Sequence, residues 1–262
     1  MDYVKFDYHG FEGLEFTFDG LPAKIVKPKV KPNGKWCYKT EYFNAFPSTE
    51  IEFLNRGYHI AYNENFTRWA PESDVNRKGE FIKFISKEFN LSSKCIPVGM
   101  SCGGMYAVKV ASRFPELIEA MYIDAPVMNL LSCPCDLGVA KGGLYDEYYR
   151  VMKITKSELL SYRDNPIDVM HVLCEKDIPI VMVSGDSDTV VPYVENGALL
   201  EKLYKEKGDR IKVYINSGAD HHPHGLDDPN IIENDIMSIL KSLSFIILFN
   251  IKISSFRYLL YR

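Results

Sequence analysis

The chain has 262 residues, 46% hydrophobic and 25% charged, with 17 glycines and 14 prolines. That is ordinary globular composition, long enough for one large α/β domain, and no Pro/Gly/Ser-rich or like-charge linker divides it. A formal net charge of −4 gives no electrostatic ground for a nucleic-acid partner, and basic stretches such as KIVKPKVKPNGK read as solvated loop.

In chain order, VKFDYHG and LEFTFDGLPAKIVKP alternate apolar and polar residues around glycine turns and predict an opening antiparallel hairpin. YHIAYNE follows Gly57 as a strand, and RKGEFIKFISKEF spaces Phe81, Phe84, Ile85 and Phe89 as a helix face. KCIPVGM is the next strand, GGMYAVKVASRFP a helix, EAMYIDAP and IPIVMVSGD strands. ENGALLEKLYKEKG is a helix ending in glycine, RIKVYIN a strand and NIIENDIMSILKSL a closing helix. Alternation from residue 57 to 243 predicts a mostly parallel central sheet with helices on both faces. Residues 127–179 interrupt it with helical patches and no clear strand, a cap-like insertion. Tyr145, Tyr148 and Tyr149 share one helix face there, as core packing or as a substrate-contacting surface. Residues 1–243 form a single domain in this reading. The tail 244–262 is apolar and basic; docking on the body, contact with a membrane surface and disorder all stay open.

Cys37, Cys95, Cys102, Cys133, Cys135 and Cys174 are scattered, and no second pair joins Cys133 and Cys135 to complete a tetrahedral zinc set. MDYVKFDYHG has no basic region leading into an apolar run, so no secretory signal is expected. Reduced thiols without a signal point to the cytoplasm. No apolar stretch reaches the roughly 18 to 20 residues of a membrane span.

Gly99-Met100-Ser101-Cys102-Gly103 has the form G-x-S-x-G, with a strand before it and a helix after. In that context the serine sits on a strained turn that lifts its hydroxyl above the strand ends, and glycines two positions away avoid collision with the turn. A serine hydroxyl needs a base, and the base needs an orienting acid, in the order Ser, Asp or Glu, His for this architecture. GDSDTVVP supplies Asp186 and Asp188 after one strand. GADHHPHGL supplies His221, His222 and His224 after the next. H-H-x-H also offers clustered imidazoles, yet no H-E-x-x-H helix or nearby cysteine ligand supports a zinc enzyme, and no metal is expected. Asp124 in IDAPV lies at a further strand end, where a structural hydrogen bond is the simpler role.

Taken together, residues 20 to 243 resemble the α/β-hydrolase superfamily. GDSDTVVP is similar to that family's G-x-x-D-x-x-V-P turn and GADHHPHGLDDP to its G-x-G-H-x-P-H segment. The resemblance implies Ser101 as nucleophile, Asp188 as orienting acid and His221 as base, with His224 as the alternative base. With KWCYKTEYFNAFP, IDAPV and NPIDVM, the set looks most like bacterial hydrolases described as esterases or prolyl-oligopeptidase-like proteins. Cys102 stands where that subgroup has arginine, and Asp220 where it has glycine. Oxyanion stabilisation is expected from the Cys102 N–H and from Lys39 or Thr40 in KWCYKTEYF. The implied activity is cleavage of a small-molecule carboxylic ester through an acyl-enzyme, with acylated carbohydrates suggested by the subgroup and no cofactor required. A serine peptidase, or a non-catalytic binding protein on the same fold, are the alternatives. Oligomeric state is not legible.

Overall fold

The computed structural model describes residues 2–208 and 210–241, so the tail at 244–262 lies outside the described residues. Three strands open the chain: β1 (Val4–Tyr8), β2 (Phe11–Phe18) and β3 (Leu21–Val26). His9–Gly10 and Asp19–Gly20 turn between them with both residues of each pair at positive φ, the two-residue loop that matches strand twist. The predicted hairpin is therefore a three-stranded meander.

After it come β4 (Trp36–Lys39), α1 (Ser48–Asn55), β5 (His59–Asn63), α2 (Glu72–Glu88), β6 (Ile96–Met100), α3 (Cys102–Arg113) and β7 (Met121–Asp124). The segment 127–179 holds four short helices, α4 (Tyr145–Met152), α5 (Lys156–Leu159), α6 (Pro166–Val169) and α7 (His171–Glu175), and no strand. β8 (Ile180–Gly185), α8 (Gly197–Lys207) and β9 (Ile211–Asn216) follow, and a closing helix, α9, covers 230–241.

Among the described residues the nine strands form one sheet in the order β1-β2-β3-β5-β4-β6-β7-β8-β9. β5, β4, β6, β7, β8 and β9 are mutually parallel, and the meander joins antiparallel through β3 and β5. Helices on both faces of a mostly parallel sheet make this an α/β-hydrolase fold. One apolar layer unites the sheet with α2, α3 and α8 through Phe81, Ile85, Val108 and Leu200. The other unites it with α1 and α9 through Phe53, Leu54, Ile232 and Ile236. β6 is buried along its whole length, as expected of a strand covered on both sides. Each fully buried aliphatic or aromatic side chain in these layers contributes about 1.5–3 kcal/mol.

Two elements escape the sequence pattern. β4 is a four-residue central strand ending in a lysine, and α1 follows it closely. Lys39 and Glu50 are both fully buried and ion-paired with each other, and Lys39 Nζ also donates to Ala45 O at 3.1 Å. Removing either partner would leave a buried charge uncompensated, a cost of about 3–5 kcal/mol. The pair thus pins α1 and the β4–α1 loop to the sheet.

The insertion lies only partly over the strand ends. Gly142 and Leu144 border the cavity above Ser101, whereas α6 and α7 pack on α3. Of the three tyrosines, Tyr148 is core, edge-on to Trp69, while Tyr149 is exposed. All six cysteines are free thiols. Among the described residues no helix is long and apolar enough to cross a membrane.

Candidate active site

Ser101 joins the end of β6 to the start of α3 with φ 53° and ψ −120°, a conformation L residues hold only under constraint. The constraint is visible in its backbone bonds. Its N–H donates to Asp124 O at 2.9 Å, and its carbonyl accepts from Gly104 N at 2.9 Å and Val127 N at 3.1 Å. A Cβ on Gly99 would lie 2.3 Å from Gly103 O, so only glycine fits there. Gly103 is less tight, its nearest neighbour being Glu41 Cβ at 3.2 Å. The second severe contact falls one residue later, where a Cβ on Gly104 would meet Pro126 Cβ at 2.5 Å.

Three parallel strands deliver the polar groups to one end of the sheet. His221 Nε2 lies 3.0 Å from Ser101 Oγ, and His221 Nδ1 lies 2.7 Å from Asp188 Oδ2. A carboxylate can only accept, so Nδ1 carries the ring proton and Nε2 presents its lone pair to the serine hydroxyl. Asp188 Oδ1 accepts the backbone N–H groups of Val190 at 2.9 Å and Val191 at 2.8 Å, which fixes the carboxylate plane. Asp186 is exposed and accepts from Gly218 N at 2.7 Å, tying two turns together away from the serine.

Asp220 has a role that the motif did not announce. Its Oδ1 accepts the N–H groups of His221 at 2.8 Å and Thr189 at 3.1 Å, clamping the histidine loop to the Asp188 loop. His224 forms a separate pair: its Nδ1 lies 2.7 Å from Asp124 Oδ1, and Asp124 Oδ2 accepts Gly225 N–H at 2.7 Å and Tyr122 O–H at 3.0 Å. The place beside Ser101 is occupied by His221. His222 is exposed and stacks on Phe46.

A cavity of about 420 Å³ opens above the serine, lined by Tyr42, Phe46, Arg68, Leu144, Val190 and the three histidines, among others. A second cavity, of about 450 Å³, lies between α2, α3 and the insertion, near Lys109 and Asp164, and contains none of these groups.

The N–H of Cys102 is one of the first-turn amides of α3 that the helix itself cannot pair. Burial pushes the Cys102 thiol up to about 12, so it stays protonated and is no rival nucleophile. The expected donors at Lys39 and Thr40 do not fit. Lys39 is buried and paired on both sides, with Tyr62 and Val98. Thr40 N–H is donated to Val98 O at 3.1 Å, and Thr40 Oγ1 to Gly103 O at 2.7 Å. The chain reaches the cavity two residues later, at Tyr42, whose φ is 54°. Burial, and then the neighbouring Cys102, push the Tyr42 phenol far above its ordinary range, which keeps it a hydrogen-bond donor. Only the tyrosine in KTEYF signals this in the sequence.

Arg68 lines the same cavity beside Tyr42. It forms a two-pronged ion pair with Glu147 of α4, its Nε donating to Glu147 Oε1 at 2.7 Å, and Trp69 Nε1 donates to the same oxygen at 3.1 Å.

Several solved structures share this fold. An S-formylglutathione hydrolase from Agrobacterium tumefaciens matches with a TM-score of 0.59 at 14% identity, over 92% of this chain and 98% of its own. Dipeptidyl peptidase 4 from Porphyromonas gingivalis matches with a TM-score of 0.63 at 16% identity, over 92% of this chain. The acylaminoacyl peptidase of Pyrococcus horikoshii matches with a TM-score of 0.59 at 15% identity, over 80% of this chain. The present chain spans 35% and 37% of the length of those two peptidases. A model of the prolyl oligopeptidase family matches residues 80–243, well over half of the chain and all three strand ends that carry Ser101, Asp188 and His221. The chain belongs to the prolyl oligopeptidase family.

Proposed function

We propose that the protein is a carboxylic ester hydrolase acting through Ser101, His221 and Asp188. The observation that carries this reading is the continuous relay from Ser101 Oγ to His221 Nε2 at 3.0 Å and from His221 Nδ1 to Asp188 at 2.7 Å. His221 takes the Ser101 proton as Oγ attacks the acyl carbon, and Asp188 holds the ring in the tautomer that can do so. The developing oxyanion is met by the Cys102 N–H and the Tyr42 hydroxyl. The His221 imidazolium then protonates the leaving alcohol, and water repeats the attack on the acyl-enzyme with His221 again as base. In this reading residues 1–243 are one catalytic domain, and the start of the 127–179 insertion borders the acyl site.

Size and lining favour a short acyl group. The cavity holds about 420 Å³ and presents Tyr42, Ala45, Phe46, Leu144 and Val190 to it. The fold shared with an S-formylglutathione hydrolase is in keeping with a small acyl substrate. Acylated carbohydrates are one such class. Peptide cleavage is the second reading, supported by the family match itself.

Fluorophosphonate labelling with the modified peptide located by mass spectrometry tests the nucleophile, and label on Ser101 is the expected result. Absence of label on folded protein would remove catalysis from the reading. p-Nitrophenyl acetate and butyrate against aminoacyl-p-nitroanilides then separate ester from peptide cleavage, and turnover of the anilides alone would reverse the assignment.

A further inference from the structure

Three imidazoles stand together above Ser101, more than ester hydrolysis uses. The ring centroids of His221, His222 and His224 form a near-equilateral triangle with sides of 4.8, 4.9 and 5.0 Å. One ring nitrogen from each lies within 4.8 Å of the other two. His221 and His224 each turn Nδ1 to a buried carboxylate, Asp188 and Asp124, both at 2.7 Å. That is the arrangement in which an outer carboxylate orients a metal-binding histidine and leaves Nε2 free to ligate.

We propose that His221, His222 and His224 form a binding site for a divalent transition-metal ion of the zinc type, and that its occupancy shuts the enzyme off. Three nitrogen donors with no carboxylate among them select Zn²⁺, Cu²⁺ or Ni²⁺ over Mg²⁺ and Ca²⁺. A tetrahedral Zn²⁺ with nitrogens at about 2.1 Å holds its ligand atoms roughly 3.4 Å apart. The exposed His222 side chain turns inward to close the difference, and Phe46, stacked on it, lines the same wall. The ion takes the His221 lone pair that otherwise accepts the Ser101 proton, so metal and nucleophile activation exclude each other. This ion is a competitor for the base and takes no part in the hydrolysis. The inhibition rests on His221 being the base; the binding does not.

Calorimetric titration of zinc sulfate into tag-free, EDTA-treated and desalted protein tests the site without substrate. One equivalent is expected to bind, and none of magnesium. His222→Ala weakens binding by at least about tenfold, the lower bound of what losing even an orienting carboxylate costs a zinc site. His224→Gln, with its melting temperature checked, does the same. In the p-nitrophenyl ester assay the half-inhibiting zinc concentration matches the dissociation constant, and EDTA restores turnover. No stoichiometric binding, or binding indifferent to both substitutions, overturns the proposal. Stoichiometric, His222-dependent binding to a protein without esterase activity supports the site and removes only the functional reading.

Discussion

Asp188→Asn exchanges one oxygen for an amide nitrogen and leaves the side-chain volume intact. The structure dictates which way the new amide faces. Oδ1 of Asp188 accepts two backbone N–H groups, from Val190 at 2.9 Å and Val191 at 2.8 Å, whereas Oδ2 faces one ring nitrogen. Putting the NH₂ toward the two valine amides would oppose donor to donor twice, so the amide oxygen stays there and the NH₂ meets His221 Nδ1. That nitrogen must then accept, and the ring proton moves to Nε2, facing Ser101 Oγ. A ring so protonated cannot take the serine proton. The expected loss in kcat is about 10⁴-fold, as for the equivalent change in other serine triads, or about 5.5 kcal/mol of barrier. Both backbone bonds survive, so the melting temperature should move little. Steady-state hydrolysis of p-nitrophenyl acetate, paired with thermal melts, measures both quantities. A fall of less than about tenfold in a normally folded variant would refute the tautomer argument and with it the role of Asp188.

Other expectations follow from the same geometry. Tyr42→Phe removes a hydroxyl and keeps the ring, so kcat should drop by about 10²- to 10³-fold with KM little changed; unaltered kcat would return the second donor to some other group. Gly99→Ala drives a Cβ to within 2.3 Å of Gly103 O, whereas Gly103→Ala meets Glu41 Cβ at 3.2 Å. Urea unfolding should show the first losing about 2 kcal/mol or more and the second clearly less; equal losses would mean that the turn relaxes freely. Burial lowers the His59 pKa from an ordinary 6.5 to about 4. Between those values the unfolded chain binds the extra proton, so this contribution to stability is complete above about pH 6.5 and is lost as pH falls toward about 4. His59→Gln should flatten the melting-temperature profile across that window, and an unchanged slope would assign the acid sensitivity elsewhere.

Residue type and strand order made the strand ends that carry Ser101, Asp188 and His221 readable. Ser101 and Asp188 follow fully buried strands and His221 an alternating one, and each belongs to a short motif whose glycines or prolines mark the turn. β4 carries no such mark. It has four residues, and its lysine is buried because a glutamate eleven positions later reaches it from α1, a tertiary compensation that no local pattern encodes. Without that strand in view, the expected oxyanion donors fell on Lys39 and Thr40, whose backbone the sheet pairs with its neighbours. The Asp124–His224 pair joins residues one hundred positions apart, and only the sheet brings them together. The insertion at 127–179 was visible as helical patches, yet its packing on α3 depends on contacts that periodicity does not specify.

The strand order also governs when the Ser101–His221–Asp188 relay assembles during folding. The three groups of the relay sit on β6, β8 and β9, and β7 lies between β6 and β8. Asp188 and His221 meet once β8 and β9 pair, but Ser101 joins them only when β7 has paired in register with both β6 and β8. These are non-local parallel pairings, which form slowly compared with hairpins. The N-terminal meander, by contrast, is built from adjacent segments joined by two-residue turns and carries none of the relay. Spectroscopic signals from strands and helices should therefore recover ahead of turnover when the denatured chain is returned to buffer, and turnover would report the completed pairing of β6 through β9.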